Sequence, residues 1–155
     1  MMAPNTRKSA DHHNVEILAS HQCLEMLRKV SVGHLAVTQN DLPRIFPVNY
    51  TVDHGTIVFR TGPGTKYSTL DAQPHVAFEV DSVDPATGMA WSVMIEGIAE
   101  TFHGIEEIVD SFSLMLFPWE SGPKEYFVRI IPTNMTGHRF KIAEPLTWWK
   151  EMKHD

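Results

Sequence analysis

The sequence predicts a mainly β domain: six antiparallel strands with two or three peripheral helices, curled into a closed or split β-barrel. Three observations carry this. From Val32 onward, apolar residues alternate with period two in six separate stretches. Short turn sequences rich in Asn, Asp, Gly and Pro separate those stretches. Helical spacing is confined to segments near Ser20, Thr65 and Ile105.

The first fourteen residues, M-M-A-P-N-T-R-K-S-A-D-H-H-N, lack the apolar centre of a signal peptide and read as a polar tail. Residues 15–155 then form one domain, with no internal repeat or linker to divide them. Ser20 is the expected N-cap of a helix reaching about Lys29, with Leu24 and Leu27 facing inward. Cys23 lies on that helix among apolar neighbours and reads as a buried structural thiol.

The first strand is Val32–Thr38, followed by a turn at Asn40-Asp41-Leu42-Pro43 and a second strand from Arg44 to Val52. Pro47 cannot donate to a ladder, so this second strand is expected at an edge or a bulge. Thr56 to Thr61 is the third strand, and a Gly-Pro-Gly loop then opens into a short helix ending near Leu70. His75 to Asp81 is the fourth strand and Ala90 to Phe102 the fifth, joined through Asp84-Pro85-Ala86-Thr87-Gly88. Ile105, Ile108, Val109, Phe112, Met115 and Leu116 recur at helical spacing up to Pro118, an apolar face for the core or a subunit contact. Tyr126 to Ile131 is the sixth strand, stopped by Pro132, and Trp148-Trp149 near the end would cover an edge or pack on a partner.

Composition narrows the function classes. The chain has 43% hydrophobic and 21% charged residues, as ordinary globular domains do, and a net charge of −6 that argues against nucleic acid or an anionic membrane surface as partner. No apolar run approaches the ~20 residues that span a bilayer. One cysteine excludes an internal disulfide framework, so a cytoplasmic setting is expected. The nine histidines, His12 and His13 included, lack zinc-like spacing, and no metal is expected.

One stretch carries chemistry. Between Pro43 and Leu70, Arg60, Thr61, Thr65 and Lys66 cluster around a glycine-rich bend at a helix start. Unpaired N–H groups and the positive end of the helix dipole stabilise an anion there, and Arg and Lys add charge-assisted hydrogen bonds. A phosphate suits that combination. Thr65 equally serves as a simple helix cap, and Arg60 and Lys66 as solvated charges. Ser92 has no neighbouring His and Asp pattern for a nucleophile, which argues against a hydrolase.

The segments I-F-P-V-N-Y, V-F-R-T-G-P-G-T-K, V-A-F-E-V-D and W-S-V-M-I-E-G-I-A, in that order, resemble the flavin-binding split-barrel family related to pyridoxamine 5'-phosphate oxidase, in particular its nitroimidazole-resistance-protein-like branch. The resemblance runs from about Leu24 to Arg139. It implies a homodimeric six-stranded antiparallel Greek-key split β-barrel with cofactor sites at the subunit interface. By position, Arg60, Thr61, Thr65 and Lys66 would contact the cofactor phosphate, while Pro47, Val48, Asn49 and Tyr50 would line the isoalloxazine. Trp91 and Ser92 would reach the cofactor from the fifth strand, and Trp119 with His138 and Arg139 from the other subunit. His138, where the family often has arginine, is the one candidate proton donor.

The second strand lacks the basic residues of pyridoxamine 5'-phosphate oxidase itself, and the arginine-rich substrate segment is absent, so vitamin B6 oxidation is not expected. The resemblance implies FMN as cofactor, with the 8-hydroxy-5-deazaflavin coenzyme as the alternative. For the acidic tail of the latter only Arg7, Lys8, Arg28 and Lys29 are available. The expected function is an FMN-dependent, or deazaflavin-dependent, oxidoreductase acting on a small organic acceptor. The other readings are a flavin carrier or sensor and a dimeric interaction protein with a vestigial pocket.

Overall fold

Two tight turns set the register of the sheet. Asn40 and Asp41 both have positive φ (51° and 61°), as do His54 and Gly55 (46° and 76°). Two consecutive residues of that kind make the hairpin turn whose twist matches the flanking strands. The first joins Gln39 to Leu42, and the second joins Asp53 to Thr56. The computed structural model describes residues 15–62, 65–102 and 126–142, with backbone alone at 65–67. The tail, the apolar segment after Gly104, Trp119 and the Trp148-Trp149 pair lie outside the described residues.

The elements are β1 (Glu16–Ile17), α1 (Ser20–Leu27), β2 (Val32–Gln39), β3 (Leu42–Asp53), β4 (Thr56–Thr61), α2 (Thr65–Ala72), β5 (His75–Asp84), β6 (Met89–Phe102) and β7 (Tyr126–Lys141). All strand pairs are antiparallel, in the order β1-β7-β4-β3-β2-β5-β6, and β6 pairs again with β7. That last pairing closes six strands into a ring, and β1 adds a seventh outside it on β7. Seven strands replace the six expected, because two residues too short to show a periodicity still bond to Arg139 and His138.

Several strand ends extend by one to three residues beyond the sequence reading, and three boundaries differ for a visible reason. α1 begins at Ser20 with Ala19 as the N-cap; the Ala19 N–H donates to Gln22 Oε1 at 2.8 Å, so a glutamine side chain satisfies the helix start. The helix stops at Leu27, where Tyr50 Oη donates to the Leu27 carbonyl at 2.7 Å. β7 does not stop at Pro132. Gly97 pairs with Pro132 and Glu96 with Asn134, so Thr133 is the extra residue of a bulge, and its hydroxyl donates to Glu96 O at 3.0 Å. A bulge is where a strand tolerates proline.

Alternation fills the ring with Leu35, Val37, Val48, Tyr50, Ile57, Phe59, Phe78, Val93, Ile95, Val128 and Ile130, which α1 covers with Cys23, Met26 and Leu27 and α2 with Leu70. Each large side chain moved from water into that core contributes about 1.5–3 kcal/mol. Packing is tight where helix meets sheet: a Cβ at Gly137 would sit 2.5 Å from Cys23 Sγ. On the other face, Val58 and Phe127 are buried in a second, small cluster with Phe102.

A polar brace fastens the β3–β4 turn to β7. Arg129 donates to Asp53 Oδ2 at 2.8 Å and to Thr56 Oγ1 at 2.7 Å, while His54 Nδ1 lies 2.7 Å from Asp53 Oδ1. The Asp53 and Arg129 side chains are 16% and 29% exposed, so water screens the pair only in part. Desolvation pushes the Asp53 carboxyl up, but the hydrogen bonds and charges of Arg129 and His54 together outweigh it and hold the group below its usual value of 3.8.

Two outcomes test this packing. Gly137→Ala should lower stability in urea by about 1–3 kcal/mol. Combined with Cys23→Ala, it should cost less than the sum of the two single changes, because one clash is shared; strict additivity would show that the two do not touch. Asp53 stabilises the fold fully above the unfolded carboxylate range and loses that contribution as pH falls through its lowered folded pKa. The melting-temperature gap between wild type and Asp53→Asn should therefore be wide at neutral pH and close in acid, and a pH-independent gap would sink the assignment.

Candidate functional site

β3 and β4 begin as neighbours and then part. Their ladder runs from Asp53↔Thr56 to Tyr50↔Phe59 and ends there. Beyond it Arg60 and Thr61 stay on β7, paired with Phe127 and Tyr126, whereas β3 follows β2 back to Leu42. The sheet is thus left with an unpaired junction, a gap in the ladder, between Pro47, Val48 and Asn49 on one side and Arg60 and Thr61 on the other. Tyr50 N–H donates to Ser31 O at 3.0 Å, so the Tyr50 peptide faces the β2 side. By two-residue alternation the peptide groups of Asn49 and Pro47 face the gap. Asn49 brings a donor and an acceptor there, and Pro47 an acceptor alone.

The cation at this gap is held from below. The Arg60 guanidinium carbon lies 5.4 Å from the centre of the Phe127 ring. Phe127 in turn stacks on Phe102, centroids 5.4 Å apart and planes 20° apart, and Arg129 covers Phe102 at 5.5 Å. Such contacts orient a guanidinium. After Gly62 the chain enters α2 at Thr65, so the first turn of that helix follows Arg60 within five residues. The side chains of Thr65 and Lys66, and the Gly-Pro-Gly loop beyond Gly62, lie outside the described residues.

The structure thus sets Pro47, Val48, Asn49 and Tyr50 across the end of the β3–β4 ladder from Arg60 and Thr61, with α2 starting at Thr65 four residues on from Thr61. It also shows how each can act. Val48 and Tyr50 direct their side chains into the core, and Tyr50 meets Phe78 edge-on at 4.9 Å. Desolvation raises the Tyr50 phenol well above its usual range, so it stays neutral. By the alternation above their peptide groups face β2, so these two residues shape the core behind the gap, and Pro47 and Asn49 are the ones that offer main chain to it. Thr61 is buried on the inner face, its hydroxyl 3.4 Å from Gly62 O.

The remaining candidates form a separate group. Trp91 pairs with Arg139 and Ser92 with His138 across β6 and β7. From Phe127 to His138 is eleven residues of β7, about 36 Å of strand at 3.3 Å per residue. Trp91 packs against the core, and Arg139 donates to Glu16 Oε2 from Nη2 at 2.7 Å and from Nε at 2.9 Å. Ser92 and His138 face outward in one row with Asp81. No group of three His, Cys, Asp or Glu side chains among the described residues is arranged to hold a metal, and none of their helices is long and apolar enough to cross a membrane. Cys23 is buried, and desolvation raises its thiol, so it has no nucleophilic role.

The sequence reading missed the Phe102–Phe127 platform and the Arg129–Asp53 brace. Phe127 and Arg129 do alternate along β7, but only the pairing of β7 with both β4 and β6 shows what they meet.

A ring of antiparallel strands with a cationic, glycine-flanked gap between two of them defines a small β-sheet domain with a candidate ligand site at a strand edge. The model of the pyridoxamine 5'-phosphate oxidase family matches residues 19–139, and the chain belongs to that family. An uncharacterised protein of Mycobacterium tuberculosis is 30% identical over 153 residues, 94% of this chain and 99% of that one. The crystal structure of a candidate pyridoxamine 5'-phosphate oxidase from Corynebacterium glutamicum is 38% identical, with a TM-score of 0.73 over 84% of this chain and 96% of the other. The structure of an FAD binding protein from Mycobacterium smegmatis is 33% identical, with a TM-score of 0.69 over 83% of this chain and all of that one (100%).

Tyr50→Phe separates structure from ligand contact. It leaves the buried Leu27 carbonyl without its donor and should cost about 1–3 kcal/mol of stability. Flavin affinity at a temperature where the variant is folded should change less than about twofold. A large affinity loss at unchanged stability would place the phenol at the ligand.

Proposed function

We propose that the protein binds a flavin nucleotide in the gap between β3 and β4 and acts as an oxidoreductase, passing a hydride or electrons from the reduced cofactor to a small organic acceptor. The observation that carries this is the parting of β3 from β4 at Asn49 and Arg60, which leaves backbone acceptors and a donor on one lip and an oriented cation on the other. An isoalloxazine needs a flat slot with a few fixed donors and acceptors along its edge, and a nucleotide phosphate needs cations and N–H groups. Pro47 and Asn49 would meet the ring, and Arg60, Lys66 and the first turn of α2 the phosphate. When bound, the flavin supplies the two-electron chemistry that no side chain of the gap provides.

FMN is the preferred cofactor. Likeness to an FAD binding protein makes the dinucleotide the first alternative, ahead of the deazaflavin coenzyme. We further propose a homodimer in which the second copy brings Trp91, Ser92, Trp119, His138 and Arg139 towards the gap. A carrier or sensor is the second reading, favoured by the absence of any side chain at the gap that titrates near neutrality among the described residues.

The test is a titration of apo protein with FMN, FAD, riboflavin and the deazaflavin coenzyme, followed by fluorescence. Arg60→Ala combined with Lys66→Ala should weaken FMN by about 2–5 kcal/mol, as truncation of charged partners does, and leave riboflavin almost unchanged. Equal losses for both would remove the phosphate assignment. Turnover of the bound flavin by a reduced nicotinamide then separates enzyme from carrier.

A further inference from the structure

A second ladder also ends early. β2 pairs with β5 only from His34↔Glu79 to Ala36↔Ala77, while it continues beside β3 as far as Gln39↔Leu42. The β2–β3 turn therefore projects past β5, and the end of α2, which leads into β5 at His75, lies alongside it. Between them is a pocket of about 360 Å³, with residues 38–41 on one wall and Ser68, Thr69, Ala72 and Gln73 on the other. That volume is in the range of small-molecule sites. Every lining side chain but that of Ala72 is polar.

Thr69 is the residue that the fold alone does not explain. Its side chain is only 7% exposed, and among the described residues its hydroxyl makes no hydrogen bond. A buried hydroxyl without a partner costs free energy, and a helical threonine ordinarily avoids that by bonding a carbonyl one turn back. The Thr69 oxygen is nevertheless not among the fully enclosed polar atoms, so the pocket that it lines can reach it.

The same pocket carries negative charge. Asp41 lines it and forms no ion pair among the described residues, and neither Lys nor Arg is in the lining. The carbonyl end of α2 lies there too. Gln73 N–H donates to Thr69 O at 2.8 Å, but residue 74 is proline, so the Leu70 carbonyl has no N–H one turn ahead. A carboxylate and a helix C-terminus both favour a cation.

We infer that this pocket binds a small hydroxylated amine, an amino sugar or amino alcohol, whose ammonium group meets Asp41 and the end of α2 while its hydroxyls meet Thr69 and the amides of Gln39 and Gln73. The phosphate contacts proposed above belong to the first turn of α2 and these residues to its last turns, so this ligand is additional to the flavin and independent of it.

D-Glucosamine, in mildly acidic buffer where its amine is charged, and neutral D-glucose are matched probes, with binding to the full chain followed by backbone amide shifts in NMR. Shifts should centre on residues 38–41 and 68–73. Glucosamine should bind about two- to fivefold more tightly than glucose, the scale of one exposed ion pair, and the preference should fade in high salt. Asp41→Asn should abolish it; asparagine tolerates the positive φ of that position, so the turn is kept. Glu25→Gln, at an exposed acid elsewhere, should preserve it. Thr69→Val should weaken both sugars and leave the melting temperature of the free protein equal or higher, because the hydroxyl it removes is unbonded. No binding, equal binding of the two sugars, shifts centred elsewhere or a preference surviving in Asp41→Asn would overturn the site. So would a Thr69→Val variant that keeps full affinity or melts lower, since the hydroxyl would then be irrelevant to the ligand or already bonded within the fold.

Discussion

The parting of β3 and β4 at Tyr50↔Phe59 is the constraint on which the site depends. β4 is only six residues long and is held by β7 through five register pairs ending at Thr61↔Tyr126. β3 is twice that length and is held by β2 over eight pairs, from Val32↔Asn49 to Gln39↔Leu42. The two ladders diverge, and one junction has to open. Open backbone groups cost free energy unless water or a ligand meets them. Pro47 lessens that cost because it has no N–H to leave unmet, so the gap tolerates being empty and still offers acceptors to a guest.

Electrostatics follow from the same divergence. Because Arg60 stays with β7, its partner across the ladder is Phe127, and its guanidinium rests on that ring. Arg129, two residues along, covers the ring stacked beneath and is spent on Asp53. One of two similar cations thus braces the turn while the other is oriented on the Phe127 ring beside the end of the β3–β4 ladder. A side chain already confined by stacking loses less rotamer freedom when it meets an anion. The 43% apolar composition says nothing of this; it comes from which strands are neighbours.

Much of this fold was legible in the sequence, for a reason that also marks where legibility ended. Thr56–Thr61 was read with both boundaries correct, because a Gly-containing turn precedes it and a Gly-Pro-Gly loop follows. Strands His75–Asp84 and Met89–Phe102 were short by one to three residues at their ends, where alternation gives way to turn residues. β7 was cut ten residues short, because Pro132 reads locally as a stop while a bulge opposite Gly97 accommodates it. β1 carried no pattern at all. The gap residues were found as two motifs, but their adjacency is a property of register, and no local signal announced that the ladder would end one residue before Asn49.

The distribution of the remaining candidates along β7 bears on how the site could be completed. An extended strand is stiff over eleven residues, so a single chain cannot fold His138 back onto Arg60 while both remain in the ladder. Within the second group, two members already have work. Arg139 ties β1 to the sheet through Glu16, and Trp91 packs on the core. Ser92 and His138 have no comparable structural duty among the described residues: they lie side by side on the outward face of β6 and β7. A second copy related by a two-fold axis would offer two such faces to two gaps, the closed arrangement that self-complementary surfaces form. In the homodimer proposed above, that geometry would leave Ser92 and His138, rather than Arg139, to meet a ligand.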